Sequence, residues 1–116
     1  MNNQNYSLYN KIADFQDYTE KYIVNNIPSV HRNIRIKLLD EIYMLPKNMF
    51  YASYNKGNIR MKYLTELQVT ISLIDMLLYR LREIEKIKKH NLDVAISKLG
   101  NIKNIVYGWK FKEEKN

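Results

Sequence analysis

Between residues 58 and 89 the apolar side chains Leu64, Leu67, Ile71, Ile74, Leu78 and Leu81 recur at spacings of 3, 4, 3, 4 and 3, and no Pro or Gly interrupts them. That spacing keeps one apolar seam on one face of an α-helix. A helix of that span would reach about 48 Å, so other helices must lie along it to cover the seam. At its far end Arg80, Arg82, Lys86, Lys88 and Lys89 arrive together, opposed by Glu83 and Glu85. The reading is a hydrophobic spine ending in a basic head.

The rest of the chain repeats the helical pattern. A first amphipathic helix is expected over 6–26, with Leu8, Ile12, Phe15, Tyr22 and Ile23 on its apolar face, and it stops near Asn25, Asn26 and Pro28. Ser29 is placed to cap a second helix over 30–56, whose Ile34, Leu38, Ile42, Leu45, Met49 and Ala52 step by 4, 4, 3, 4 and 3. Pro46 inside that run predicts a kink near 42–45 or a break into two helices. Gly57 supplies a left-handed end to this segment and Asn58 a cap for the long helix. Asn91 would cap a fourth helix over 91–110, in which Leu92, Ala95, Leu99, Ile102, Val106 and Trp109 step by 3, 4, 3, 4 and 3. Gly100 and Gly108 fall inside it, each costing about 1 kcal/mol relative to Ala, which close helix approach or an early helix end would offset. No segment alternates as a strand does. The expected architecture is all-α, a single domain over 1–116 built as an antiparallel up-down-up-down four-helix bundle.

A chain of 116 residues buries a core of its own without metals or disulfides. It has no Cys, which removes disulfides, thiolate zinc sites and cysteine nucleophiles and suits a reducing cytoplasm. The N-terminus has no apolar h-region and no window is apolar enough to span a bilayer, so the expectation is a soluble cytoplasmic protein without a signal peptide. His31 and His90 are far apart, and only Asp93 stands at helical spacing from either, so no metal site or other cofactor is expected. The three glycines are scattered, which argues against a phosphate-cradling loop. Asp40 and Glu41 are adjacent and better placed to pair with Lys37 than with each other. Asp75 reads either as a buried partner for an arginine or, more simply, as a wet residue flanking the seam. The expectation is a protein with no catalytic residues and no enzymatic activity.

Net charge is +7, and it is polarised. Residues 1–28 are slightly acidic, whereas 80–112 hold nine Lys or Arg against Glu83, Glu85 and Asp93, a balance of +6. Such a field favours a polyanion or an acidic protein surface, and solvated helix faces are the plainer alternative. Ten tyrosines suit a subunit interface or base stacking beside cations, though half-buried core edges account for most of them. The candidate patch is Arg80, Arg82, Lys86, Lys88 and Lys89, extended on the fourth helix by Lys98, Lys103, Lys110 and Lys112.

Pro28-Ser29-Val30-His31-Arg32, the Tyr54 and Lys56 end of the second helix, Tyr79-Arg80-Leu81 and Gly108-Trp109-Lys110 together carry a likeness. In helix order and length the chain resembles the accessory variability determinant (Avd) proteins of diversity-generating retroelements, within a wider group of four-helix-bundle proteins that includes ribosomal RNA intervening-sequence proteins. Pro28, His31 and Arg32, with Gly108 and Trp109, are the matching motif positions; where such proteins continue with a Gly and a second Arg, this chain has Ile36 and Leu38. The resemblance implies a homopentameric barrel of four-helix protomers that binds RNA or cDNA and the retroelement's reverse transcriptase during mutagenic cDNA synthesis. The alternative is a protein-interaction module of the same group, with no retroelement role and an acidic protein as its partner.

Overall fold

The computed structural model describes residues 3–115, and they form four α-helices packed on one another with no strand. These are α1 (Asn3–Tyr22), α2 (Arg32–Tyr54), α3 (Gly57–Arg80) and α4 (Lys89–Glu114). Around the bundle α2 packs on α1 and α3, and α4 packs on α3 and α1. The molecule measures 47 × 22 × 19 Å. The periodic positions of the seams form the core: Leu64, Leu67, Ile71, Ile74 and Leu78 are buried against Leu38, Ile42, Leu45 and Met49 of α2 and Leu92, Ala95, Leu99, Ile102 and Val106 of α4. Each such Leu, Ile, Val or Met side chain contributes about 1.5–3 kcal/mol through removal from water. On α1 the seam is Leu8, Ile12, Phe15, Thr19 and Ile23, so the expected place of Tyr22 on that face is corrected: Tyr22 is exposed and the small Thr19 is buried instead.

The spine is shorter than its pattern suggested. α3 ends at Arg80 and not near Lys89; a 3-10 turn, Leu81–Glu83, follows, and residues 84–88 are not helical. The reason lies in the spacing of Leu81, Ile84 and Ile87, three residues apart each time and all buried. On an α-helix such steps drift off the seam, whereas in 3-10 geometry positions i and i+3 eclipse. The backbone follows the second course, with Ile84 N–H donating to Leu81 C=O at 3.0 Å and Ile87 N–H to Ile84 C=O at 3.1 Å.

Helix ends depart from the expected caps. Neither Ser29, Asn58 nor Asn91 caps a helix with its side chain: Ser29 opens a 3-10 turn, Ser29–His31, and the residues flanking α3 and α4 at their starts are Lys56 and Lys88. Asn91 lies inside α4, where its Oδ1 accepts a hydrogen bond from the Tyr18 hydroxyl at 3.3 Å. Asparagines act at helix C-termini instead: Asn26 Nδ2 donates to Tyr22 C=O at 2.8 Å and Asn55 Nδ2 to Tyr51 C=O at 2.7 Å, satisfying carbonyls left over by α1 and α2. Gly57 does adopt the left-handed region, at φ 60°. α2 runs unbroken through Pro46, so the two-helix alternative falls; the ring is half-buried beside Tyr9, Ile12 and Ala13 of α1. The offsets expected for Gly100 and Gly108 are both absent, since α4 continues to Glu114 and a Cβ at either glycine would meet no atom within 4 Å.

Candidate nucleic-acid interface

The P-x-x-H spacing has a backbone cause. Pro28 stands in extended conformation (φ −61°, ψ 152°), and its C=O accepts the N–H of His31 at 2.9 Å, closing the 3-10 turn that delivers the chain into α2. His31 is thereby set at the start of α2 while Arg80 ends α3, and the two face one groove of about 740 Å³. Ile34, Met76, Tyr79, Glu83 and Ile84 complete its lining. The groove therefore combines a guanidinium, an imidazole and a tyrosine ring with a half-apolar floor, and Glu83 is the one carboxylate lining it. Arg32 follows His31 into solvent.

The basic residues divide into paired and unpaired sets. Arg82 donates to Asp93 at 2.9 Å and lies 5.0 Å from the Tyr79 ring, so much of its charge is met within the fold. Arg80, Lys86, Lys88 and Lys89 are exposed, and among the described residues none of the four forms an ion pair. Lys86 and Lys88 sit on the irregular segment after the 3-10 turn and Lys89 opens α4, which places them on a connection and not along a helix face.

The extension along α4 is corrected, because it is not one surface. Lys98 turns toward α1, pairing with Asp14 at 2.5 Å over the Tyr18 ring. Lys103 and Lys110, seven residues apart, border α3: Lys110 Nζ donates to Gln68 Oε1 at 2.9 Å, and Lys103 lines a cavity with Asp75. Lys112 is exposed near the far end of α4, about 34 Å along the helix from Lys89. Gly108 is exposed, while Trp109 is buried beneath the Arg60 guanidinium at 5.4 Å. The two motif segments therefore lie at different places, Pro28–Arg32 beside the groove and Trp109 beside the first turn of α3.

One feature of the surface was not foreseen. Arg60 joins α2, α3 and α4 through Ala52, Ser53 and Glu113, and the only hint in the sequence was a lone Arg near a helix start. The tyrosines sit mostly at half-buried edges, as expected: Tyr6, Tyr9, Tyr22, Tyr43, Tyr51, Tyr79 and Tyr107 keep 38–54% of their surface, Tyr18 and Tyr63 pack against the core, and Tyr54 alone, at 83%, stands mostly outside. Tyr51 stacks on Tyr63 with centroids 4.7 Å apart, and Phe50 on Tyr54 at 6.4 Å. Lys37 meets Glu41 at 3.7 Å as expected, and Asp40 is exposed. Among the described residues no group of three or more His, Asp or Glu is arranged to hold a metal ion, and no helix is long and apolar enough to cross a membrane. Compared with family models, curated proteins and solved structures, the chain finds no match in any of the three.

Proposed function

We propose that this chain is a non-enzymatic accessory protein that binds RNA or cDNA through its basic end, together with a reverse transcriptase, as a homo-oligomer in the cytoplasm. The observation that carries the reading is the convergence of His31, Arg80 and Tyr79 on one groove, with the unpaired Lys86, Lys88 and Lys89 following its lining residue Ile84 in the chain. Cations beside an exposed ring suit phosphates flanking an unstacked base. An antiparallel up-down-up-down order fits the pairing of helix starts with helix ends, as in Asn5 with Ser53, Arg60 with Glu113 and Arg82 with Asp93. The resemblance to retroelement accessory proteins supplies the pentamer and the reverse transcriptase partner, and the exposed aromatic rings supply a surface on which copies of the chain would meet.

A second reading has its own support. Ile34, Met76 and Ile84 give the groove an apolar part, which favours an amphipathic segment of an acidic protein. Filter binding of a structured RNA to wild type and to the Arg80→Glu, Lys86→Glu, Lys88→Glu variant separates the two. A large loss of affinity is expected; equal affinity would end the nucleic-acid reading and leave the protein-partner one.

A further inference from the structure

A second cavity, of about 270 Å³, lies between α3 and α4 and shares Tyr79 with the His31 groove. Ile71, Ile96 and Leu99 give it an apolar wall, while Ser72, Asp75, Tyr79 and Lys103 place two hydroxyls, a carboxylate and an ammonium around it. Asp75 is half-buried, and among the described residues it has neither an ion pair nor a hydrogen bond, an uncommon condition for a carboxylate at the edge of a core. Lys103 rests 5.6 Å from the Tyr107 ring and does not reach a carboxylate. Gly100 completes the lining. It is a poor helix-interior residue that no packing contact requires, because a Cβ there would project into open space. A side chain at position 100 would instead project where the cavity is open.

We propose that this cavity binds a small zwitterion with an aliphatic stem, an ω-amino acid being the simplest chemical type. Its ammonium group meets Asp75, its carboxylate meets Lys103, and its methylenes lie against Ile71, Ile96 and Leu99. The charged pair of the site, Asp75 and Lys103, lies outside the His31 groove, and Tyr79 lines both. A carboxylate and an ammonium in one lining, not paired with each other, favour a zwitterion over a singly charged ligand, which would leave one of them unmet. A volume below the usual range for drug-sized ligands restricts the occupant to a compact molecule.

The test is an amide chemical-shift titration of the ¹⁵N-labelled protein with glycine, β-alanine, γ-aminobutyrate and ε-aminocaproate, with butylamine and butyrate as singly charged probes. One stem length is expected to saturate, with shifts confined to 71–79 and 96–103, and the singly charged probes to bind about tenfold or more weakly. Asp75→Asn and the exposed Lys103→Gln should each weaken binding by about tenfold. Gly100→Leu should abolish it with helicity unchanged. Failure of every zwitterion to saturate, or binding that Lys103→Gln leaves intact, would overturn the proposal.

Discussion

Arg60 and Glu113, 53 positions apart, tie the start of α3 to the end of α4: the guanidinium donates to Glu113 Oε2 at 3.3 Å. The same carboxylate accepts the backbone N–H of Gly57 through Oε1 at 3.2 Å, and Arg60 Nε donates to Ala52 C=O at 2.8 Å. One planar cation thus satisfies the last carbonyls of α2, covers Trp109 and neutralises an acid of α4, which a flexible ammonium could not do in one geometry.

Replacing Arg60 with Met should cost about 2 kcal/mol, since the pair is largely sheltered and its loss strands both Glu113 and a helix-end carbonyl. Arg60→Lys should recover less than half of that. Urea unfolding of the two variants, set beside Glu113→Gln and the Arg60→Met/Glu113→Gln double mutant, measures it. A double mutant no more stable than the summed singles would show that the two residues act separately.

Leu78→Ala and Ile71→Ala should each destabilise the protein by about 2–5 kcal/mol, because both side chains are buried in the core. Met76→Ala, on the same helix but exposed, should stay within about 0.5 kcal/mol of wild type. Thermal melts followed by circular dichroism distinguish the seam from the face beside it.

Helix number, order and seam were legible because burial enforces a 3.6-residue period, and Leu64 through Leu78 obey it. The end of α3 was not, since Leu81, Ile84 and Ile87 bury themselves by changing the period, and a basic run that reads as helix is in fact a connection. Caps failed for a similar reason: an asparagine at a helix start is available to any partner the fold brings near, and Asn91 met Tyr18. Of the candidate patch, the cluster after α3 stays together in the chain, whereas the four lysines of α4 part to different neighbours. Linear charge cannot reveal that Lys98 is met by Asp14, 84 positions away, or Lys110 by Gln68, 42 away. The groove itself needed His31 and Arg80 on one surface, a matter of chain direction and not of composition.

Two phenols make stability depend on alkaline pH. Tyr18 holds its proton above the ordinary value of 10.0, chiefly through burial and secondly through Tyr22, with Lys98 opposing. Tyr43 is raised from 10.0 mainly by its hydrogen bond to Glu20, whose carboxylate favours the protonated phenol. Raised folded values mean that the contribution is complete below the ordinary value and is lost as pH climbs through the raised ones. The fall in unfolding free energy as pH climbs above about 10 should therefore be shallower in Tyr18→Phe/Tyr43→Phe than in wild type. An identical fall would remove both phenols from the account.

Light scattering should give a mass near five copies of the 14.0 kDa chain. Tyr54, at 83% exposure, stands on the outer face of α2 with no core role, so Tyr54→Glu should lower the mass without loss of helicity. A dimer would defeat the pentamer alone; a single-chain mass at every concentration would defeat assembly.

The salt dependence of RNA binding tests where the interface lies. Each phosphate neutralised by a Lys or Arg releases condensed counterions, so log K falls with log salt by about 0.7 per contact on a single strand. Reversing Arg80, Lys86 and Lys88 should flatten that slope by about 2 and weaken binding most at low salt. Arg82 is a poor choice for the same experiment, because its reversal would set a new carboxylate beside Asp93 and disturb the fold. The control is Lys110→Glu/Lys112→Glu, which makes a comparable change in net charge at the other part of α4. If attraction to the whole cation were all that mattered, the two variants would lose affinity in proportion to charge. If the His31 groove and the connection after α3 hold the strand, only the first variant changes the slope, and His31→Ala and Tyr79→Ala weaken binding without changing it, because neither removes a lysine or arginine. Slopes that fall equally in both charge variants would move the interface off the groove and leave its basic rim as a solvated turn.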